Sequence, residues 1–319
     1  REIQAPVRDR LDQVVNEMHR IITADLPMIE QVSGHLLQMR GKMFRPTLAL
    51  LASDVEGTAE PRTVTLAAVI ELMHLATLVH DDSVDHSAMR RGLPTVNSLF
   101  SHQVSVIMGD YLYSRALQAL VSLNDFPVMR ILTDVASELS MGEMHQLAAI
   151  DALSFSEAEY YRLIRAKTAS LLSAACESGA LFGAPRLREA MARYGDRLGM
   201  AFQIVDDILD YTEDESVTGK PFGNDLREHK VTLPLIAALP RLTPAARARV
   251  DALFQDEQPS DALIREVVGL VAEAGGIAEA RRRCERFAQE AEDALADVTP
   301  SPVRTSLVEA IAYVTDRRW

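Results

Sequence analysis

The chain has 319 residues, 48% hydrophobic and 25% charged, the ordinary make-up of a soluble globular protein and enough for one large domain or two small ones. Its net charge of −13 argues against non-specific nucleic-acid binding. Cys176 and Cys284 stand far apart without metal-ligand spacing, which points to buried thiols in a reducing, cytoplasmic compartment rather than to a disulfide framework.

Almost every segment has helical period and none has a convincing strand alternation. Val7 to about His35 reads as one amphipathic helix, with Val14, Met18, Ile21 and Ile22 on one side. Gly41 then permits a turn, and Pro46 is placed to open a helix over Thr47–Ala52. A central helix is expected from about Val64 to Arg90, with Pro94 ending the unit. Ser105–Leu123 and Val128–Ala149 follow as helices. Ser156 and Glu159 form a capping-box pair, with Phe155 just ahead of it. The helix it opens should run to Phe182 and close at Gly183 and Pro185. Leu187–Tyr211 is another long helix, and Thr212–Glu228 reads as a loop. Val231–Leu239 is helical again. Thr243-Pro244 and Ser301-Pro302 open two late helices. Two more lie on either side of the Gly275-Gly276 break. No linker, low-complexity run or short repeat interrupts the chain. The longest uncharged stretch, Gly92 to Gly109, contains Pro94, Asn97, His102 and Gln103 and would not cross a membrane. The sequence opens on Arg1 rather than Met, so upstream residues are expected in the native chain.

The end of the central helix carries the chemistry. At ~100° per residue, Asp81 and Asp85 share one face, and stepping back along it gives Thr77 and His74. Asp82 stands beside them. A solvated helix end is the usual reading of one acidic pair. Here Leu75, Ala76, Leu78 and Val79 leave almost no polar face, so the helix reads as buried. Carboxylates there need a partner or a metal. Arg90 and Arg91 follow as a separate anion-binding group. FQIVDDILD repeats the pattern: Asp206 and Asp210 share a face, Asp207 lies beside them, and Gln203 is one turn back. Hard carboxylate oxygens suit Mg²⁺, which takes one or two protein carboxylates and completes its shell with water and phosphate. Zinc is disfavoured, because no His or Cys stands at ligand spacing. Lys42, Arg45, Lys167, Lys220 and Lys230 supply further cations. Metal-holding carboxylates with Lys and Arg for phosphate oxygens suit diphosphate chemistry.

These motifs identify a resemblance. GK-x-x-RP at Gly41–Pro46, DDSVD at Asp81–Asp85 followed by MRRG, KTASL from Lys167, FQIVDDILD, GKPFGNDL and EHKVTLPL together resemble the trans-prenyl diphosphate synthases. Within them the chain is most similar to the long-chain, octaprenyl-type synthases of quinone side-chain synthesis. The likeness covers nearly the whole chain, and it implies one all-α domain over 1–319. That domain would be a single antiparallel helical barrel around a deep central cavity, usually as a homodimer. It also implies that isopentenyl diphosphate adds head to tail to an allylic diphosphate (farnesyl or geranyl). About three Mg²⁺ ions would assist at each active site.

By match to the motifs, Asp81, Asp85 and Asp206 would hold the metals, with Asp82, Asp207 and Asp210 in support. Arg90, Lys167, Lys220 and Lys230 would meet the allylic diphosphate, with Thr168 and Gln203 at the reacting end. Lys42, Arg45, His74 and Arg91 would meet isopentenyl diphosphate. Asp81, Asp85, Asp206 and Lys167 are the expected catalytic set. The small residues Ala76 and Thr77 would let the growing chain pass, toward a floor near Leu120 and Leu132. The chain departs from the family at Arg40, where a glycine is usual, and at Met43, where an arginine is usual. Competing readings are a synthase of farnesyl or geranylgeranyl diphosphate, or a subunit of a heteromeric synthase. A terpene cyclase is disfavoured, because Asp210 and the spacing of Glu213 do not fit its second metal motif.

Overall fold

The computed structural model describes residues 2–39, 41–57, 60–148, 152–213 and 222–316. It is all-α apart from one short hairpin among these residues. The chain forms two compact units. The first is Arg1–Asp134, Leu171–Ala192 and Leu295–Glu309; the second is Val135–Ser170, Arg193–Ala294 and Ala310–Trp319.

The first expected helix is two. α1 runs Arg8–Ile22 and α2 runs Pro27–Gln38. Pro27 explains the break: the residue before a proline is pushed out of the helical region, and Leu26 is extended at φ −130°, ψ 112°. α3, Phe44–Asp54, starts ahead of Thr47. Pro46 therefore sits inside its first turn, where a missing N–H breaks no helical bond.

α4, Arg62–Val84, is the core of the first unit. Leu66, Val69, Ile70, Leu72, Met73, Leu75, Ala76 and Val79 are all buried, each large aliphatic contributing about 1.5–3 kcal/mol on burial. α1, α3 and α6 (His102–Ser122) pack against it. Among the described residues it is the one helix long and apolar enough to cross a membrane, and 67% of that stretch is buried inside the protein. It ends at Val84 rather than Arg90, with Asp85 as its C-cap. His86 turns left-handed (φ 51°). The chain then forms a hairpin the sequence does not announce, β1 (Met89–Arg90) antiparallel to β2 (Leu93–Pro94). Its two-residue turn is Arg91-Gly92, both at positive φ (52° and 76°), the geometry that matches strand twist in tight hairpins.

α5 is Val96–Leu99 and α7 is Phe126–Ala148. α8, Glu157–Ile164, opens on the expected capping box, with both reciprocal bonds formed. It passes through a π-helical turn at Arg165–Ala169 into α9, Ser170–Gly183. Gly179 and Gly183, one turn apart, let α9 lie against the carbonyls of Ala49 and Ser53 on α3; a Cβ at either would strike them. α10 is Arg188–Thr212 and α11 is Asn224–Arg227. α12 (Leu233–Ala238), α13 (Pro244–Gln255), α14 (Asp261–Glu273), α15 (Gly276–Asp293) and α16 (Pro302–Thr315) complete the chain. The hydroxyls of Thr243, Ser260 and Ser301 accept backbone N–H bonds where their helices begin. The second unit is centred on Tyr211, Leu226, Leu235, Val250, Leu253, Ile264 and Val267.

Candidate active site

The first aspartate cluster stands at the end of α4. Asp82 is 4% exposed and clasped by Arg90, whose Nε lies 2.9 Å from both carboxylate oxygens and whose Nη2 lies 2.8 Å from Oδ1. Arg90 is therefore not a group apart from the aspartates, as its place in the sequence suggests. The β1–β2 hairpin folds it back onto Asp82. Asp81 is half-buried and Asp85 is exposed. The Asp85 N–H donates to the Asp81 carbonyl at 2.8 Å, which keeps the two side chains one turn apart.

Further down α4, His74 and Glu71 meet two arginines from other elements. Arg45 comes from the first turn of α3, just after Met43 in the left-handed conformation (φ 54°). Arg91 comes from the hairpin turn. Its Nη1 donates to the Met39 carbonyl at 2.9 Å, and its guanidinium lies over Gly41, where a Cβ would sit 2.7 Å from Nη1. Burial, then the charges of Arg45, Arg91 and Arg90, hold the His74 imidazole well below its usual pKa, so it is neutral. Lys42 is exposed in the same turn. Arg40 lies outside the described residues. Met43 is buried, so the hydrophobic replacement for an arginine faces inward.

Ala76 is 2% exposed, and Thr77 donates its hydroxyl to the His74 carbonyl at 2.8 Å. Leu120 on α6 and Leu132 on α7 are fully buried.

The second cluster, on α10, is built differently. Asp207 is 7% exposed. It accepts the Tyr160 hydroxyl at 2.5 Å and the Gln203 amide at 2.9 Å. Thr168 donates in turn to Gln203 Oε1 at 2.8 Å. Burial, reinforced by Asp206 and Asp210 and opposed by these two hydrogen bonds, pushes the Asp207 pKa up to about 7. Asp210 accepts the backbone N–H groups of Asn224 and Asp225 at 3.1 and 3.0 Å, tying down the start of α11. Asp206 is exposed.

Lys167 and Thr168 lie on the π-helical turn, an irregularity frequent at functional sites. Gly142 lets α7 approach this turn, since a Cβ there would lie 2.9 Å from that of Ala166. Lys167 Nζ then reaches Glu143 at 2.6 Å and Gln146 at 2.9 Å. Lys230 pairs with Glu228 at 2.6 Å. Lys220 lies outside the described residues. Sequence reasoning missed Glu71, Glu143, Gln146 and Tyr160. The spacing of Glu143 and Gln146, three apart on one helix face, was a signal for that pair; nothing local marks Tyr160 as Asp207's partner.

Arg90 thus grips Asp82, Tyr160 and Gln203 hold Asp207, and backbone N–H groups hold Asp210, while Asp85 and Asp206 are exposed hard oxygen donors. Among the described residues no three His, Cys, Asp or Glu side chains converge as a closed metal cage. A cation held by one or two carboxylates plus substrate phosphate fits this donor set.

The polyprenyl synthetase family matches residues 26–271. An all-trans-nonaprenyl-diphosphate synthase (geranyl-diphosphate specific) of Rhodobacter capsulatus is 36% identical, over 99% of this chain and 97% of the relative. An octaprenyl diphosphate synthase of Haemophilus influenzae is 34% identical over 100% and 97%. The crystal structure of a polyprenyl synthase from Caulobacter crescentus, complexed with calcium and isoprenyl diphosphate, superposes with a TM-score of 0.94 at 32% identity, covering 100% of this chain and 98% of that one. The aspartate clusters and the all-α isoprenoid synthase fold therefore have one explanation: this chain belongs to the polyprenyl synthetase family and is a trans-prenyl diphosphate synthase, a metal-dependent prenyltransferase.

Proposed function

We propose that the chain is a long-chain, octaprenyl-type synthase, one catalytic domain over 1–319 that makes an isoprenoid diphosphate for a quinone side chain. The observation that carries the site assignment is that each aspartate cluster has one member buried and gripped by other side chains, Asp82 and Asp207, and one exposed, Asp85 and Asp206. Asp82, Asp207 and Asp210 are held by Arg90, by Tyr160 with Gln203, and by backbone N–H groups. Asp85 and Asp206 are exposed and Asp81 is half-buried; these three would hold Mg²⁺, about three ions per site. Bound Mg²⁺ would neutralise charge on the departing diphosphate of the allylic substrate.

This chain's own residues do the rest. Lys167, on its π-helical turn, swings from Glu143 and Gln146 toward the allylic diphosphate, with Arg90, Lys220 and Lys230 as further cations. Lys42, Arg45 and Arg91 bind isopentenyl diphosphate by charge-assisted hydrogen bonds, and neutral His74 offers one more donor. As the allylic carbon–oxygen bond breaks, isopentenyl diphosphate forms the new carbon–carbon bond at that carbon and then loses a proton. Thr168 and Gln203, fixed through Asp207, line the reacting end. Small Ala76 and Thr77 let the product grow past the α4 face, toward Leu120 and Leu132. Sequence likeness to synthases of octaprenyl and nonaprenyl diphosphate supports a long product.

The working form would be a cytoplasmic homodimer. α6 leaves Ile107 67% exposed, an apolar side chain of the kind buried between subunits. The test is incubation of the purified chain with Mg²⁺, isopentenyl diphosphate and farnesyl diphosphate, followed by mass spectrometry of the product. An octaprenyl product is expected; a product ending at farnesyl or geranylgeranyl length would refute the long-chain reading.

A further inference from the structure

Glu71 is the buried charge that this reading leaves without a task. It lies mid-way along α4, one turn before His74, and is 2% exposed. Its Oε2 is sealed from solvent and has no hydrogen-bond partner. An acid so placed costs several kcal/mol unless something compensates it. The charges that act on it are those of Arg45 and Arg91. Arg45 is in a matching position: its Nε is also sealed off without a partner, and Glu71 is the charge that favours its ionised form while Arg91 opposes it. The same holds for Arg91, where Glu71 is the leading favourable charge.

Two guanidiniums brought together from α3 and the hairpin repel each other when no anion is present. Arg45 rests on a left-handed turn at Met43, and Arg91 on a two-residue hairpin with one backbone contact. Glu71 stands mid-way along α4, against which α1, α3 and α6 pack. We propose that Glu71 is a positioning residue for isopentenyl diphosphate: its carboxylate, fixed on α4, holds the guanidiniums of Arg45 and Arg91 in the spacing that the diphosphate then bridges. The inference rests on the assignment of Arg45 and Arg91 to that substrate. Two simpler roles give different outcomes. If Glu71 were a neutral, packed core acid, an amide in its place would change nothing in substrate binding. If it only lowered the positive potential, its removal would tighten binding of the anionic substrate.

The experiment is steady-state kinetics with each substrate varied in turn, on Glu71→Gln, Glu71→Asp and Arg45→Lys. Glu71→Gln is expected to raise the KM for isopentenyl diphosphate about tenfold, the equivalent of one lost charge-assisted contact. The allylic KM and kcat should stay within about twofold. Glu71→Asp keeps the charge but withdraws it by one methylene, and should give a smaller rise in the same KM; it carries the test if the amide variant fails to melt cooperatively. Arg45→Lys keeps charge but loses the planar fork and should also raise that KM. An unchanged or lower KM in Glu71→Gln, with Arg45→Lys raised, would overturn the positioning role. An unchanged KM in Arg45→Lys would overturn the substrate assignment, and the Glu71 role with it.

Discussion

Tyr160→Phe isolates one bond of the second cluster. The substitution removes a hydroxyl and leaves the ring in place, so packing is preserved and the loss is the 2.5 Å donor to Asp207 Oδ2. The magnitude depends on the state of Asp207. Its folded pKa of about 7 lies above the ordinary aspartate value of about 3.9. The folded state therefore binds this proton more tightly than the unfolded chain. For an acid of that sign, wild-type stability falls as pH rises from about 4 to about 7 and is flat above. Above about pH 7 the Tyr160 bond goes to an ionised carboxylate and is worth about 1.5–3 kcal/mol; well below that pH the folded carboxyl is protonated and the bond is worth about 1 kcal/mol. At about 2 °C per kcal/mol for a chain of this length, the variant should melt about 3–6 °C lower than wild type at about pH 8.5, and about 2 °C lower at about pH 5.5. The assay is a thermal melt of both proteins at each pH, with chelator present so that no metal occupies the neighbouring Asp206. An equal deficit at both pH values, or none at the higher one, would refute the reasoning.

Asp81→Ala and Asp206→Ala should each lower turnover by several orders of magnitude with the melt intact, since each removes a support for charge on the departing diphosphate; near wild-type turnover with Mg²⁺ would refute the metal assignment. Lys42→Ala and Arg45→Ala should raise the KM for isopentenyl diphosphate more than the allylic KM, and Lys167→Ala should do the reverse, each by an amount set by a contact of about 1.5–3 kcal/mol. Equal effects on both KM values from all three variants would end that division. Ala76→Tyr should shorten the product, because Ala76 is already 2% exposed and a close-packed interior does not absorb a phenol ring beside a passing chain. Chromatography of dephosphorylated products reads this directly, and an unchanged length would show that the chain runs elsewhere.

The helices were legible because hydrophobic period and caps are local. Ser156 with Glu159, Thr243 and Ser301 each announced a helix start that the structure contains. What was not legible was decided by competition between local signals or at long range. The helical spacing of Ile22, Leu26 and Ile29 carries across the break, so periodicity alone predicts one helix where Pro27 divides two. The β1–β2 hairpin has strands too short for alternation, one of them ending in Pro94, and rests on positive φ at Arg91. The carboxylate clusters were visible in the spacing of DDSVD and DDILD. The partner of each carboxylate was not: Asp207 is held by a tyrosine 47 residues away in sequence, and Asp82 by an arginine that returns only because the hairpin turns it.

α4 is also a ruler. Glu71, His74, Asp81 and the capping Asp85 all hang from one continuous rod, in which each residue adds about 1.5 Å. The seven steps from His74 to Asp81 set the attachment points of these two side chains about 10 Å apart along the axis, with no loop in between to stretch or slacken. Because most of the rod is buried, the packing of α1, α3 and α6 against it fixes its rotation as well as its position. A single residue inserted between Leu75 and His80 would lengthen the gap by only about 1.5 Å but swing the aspartates about 100° around the axis. The spacing along α4 is therefore quantised: it changes only in steps that also turn one group away from the other.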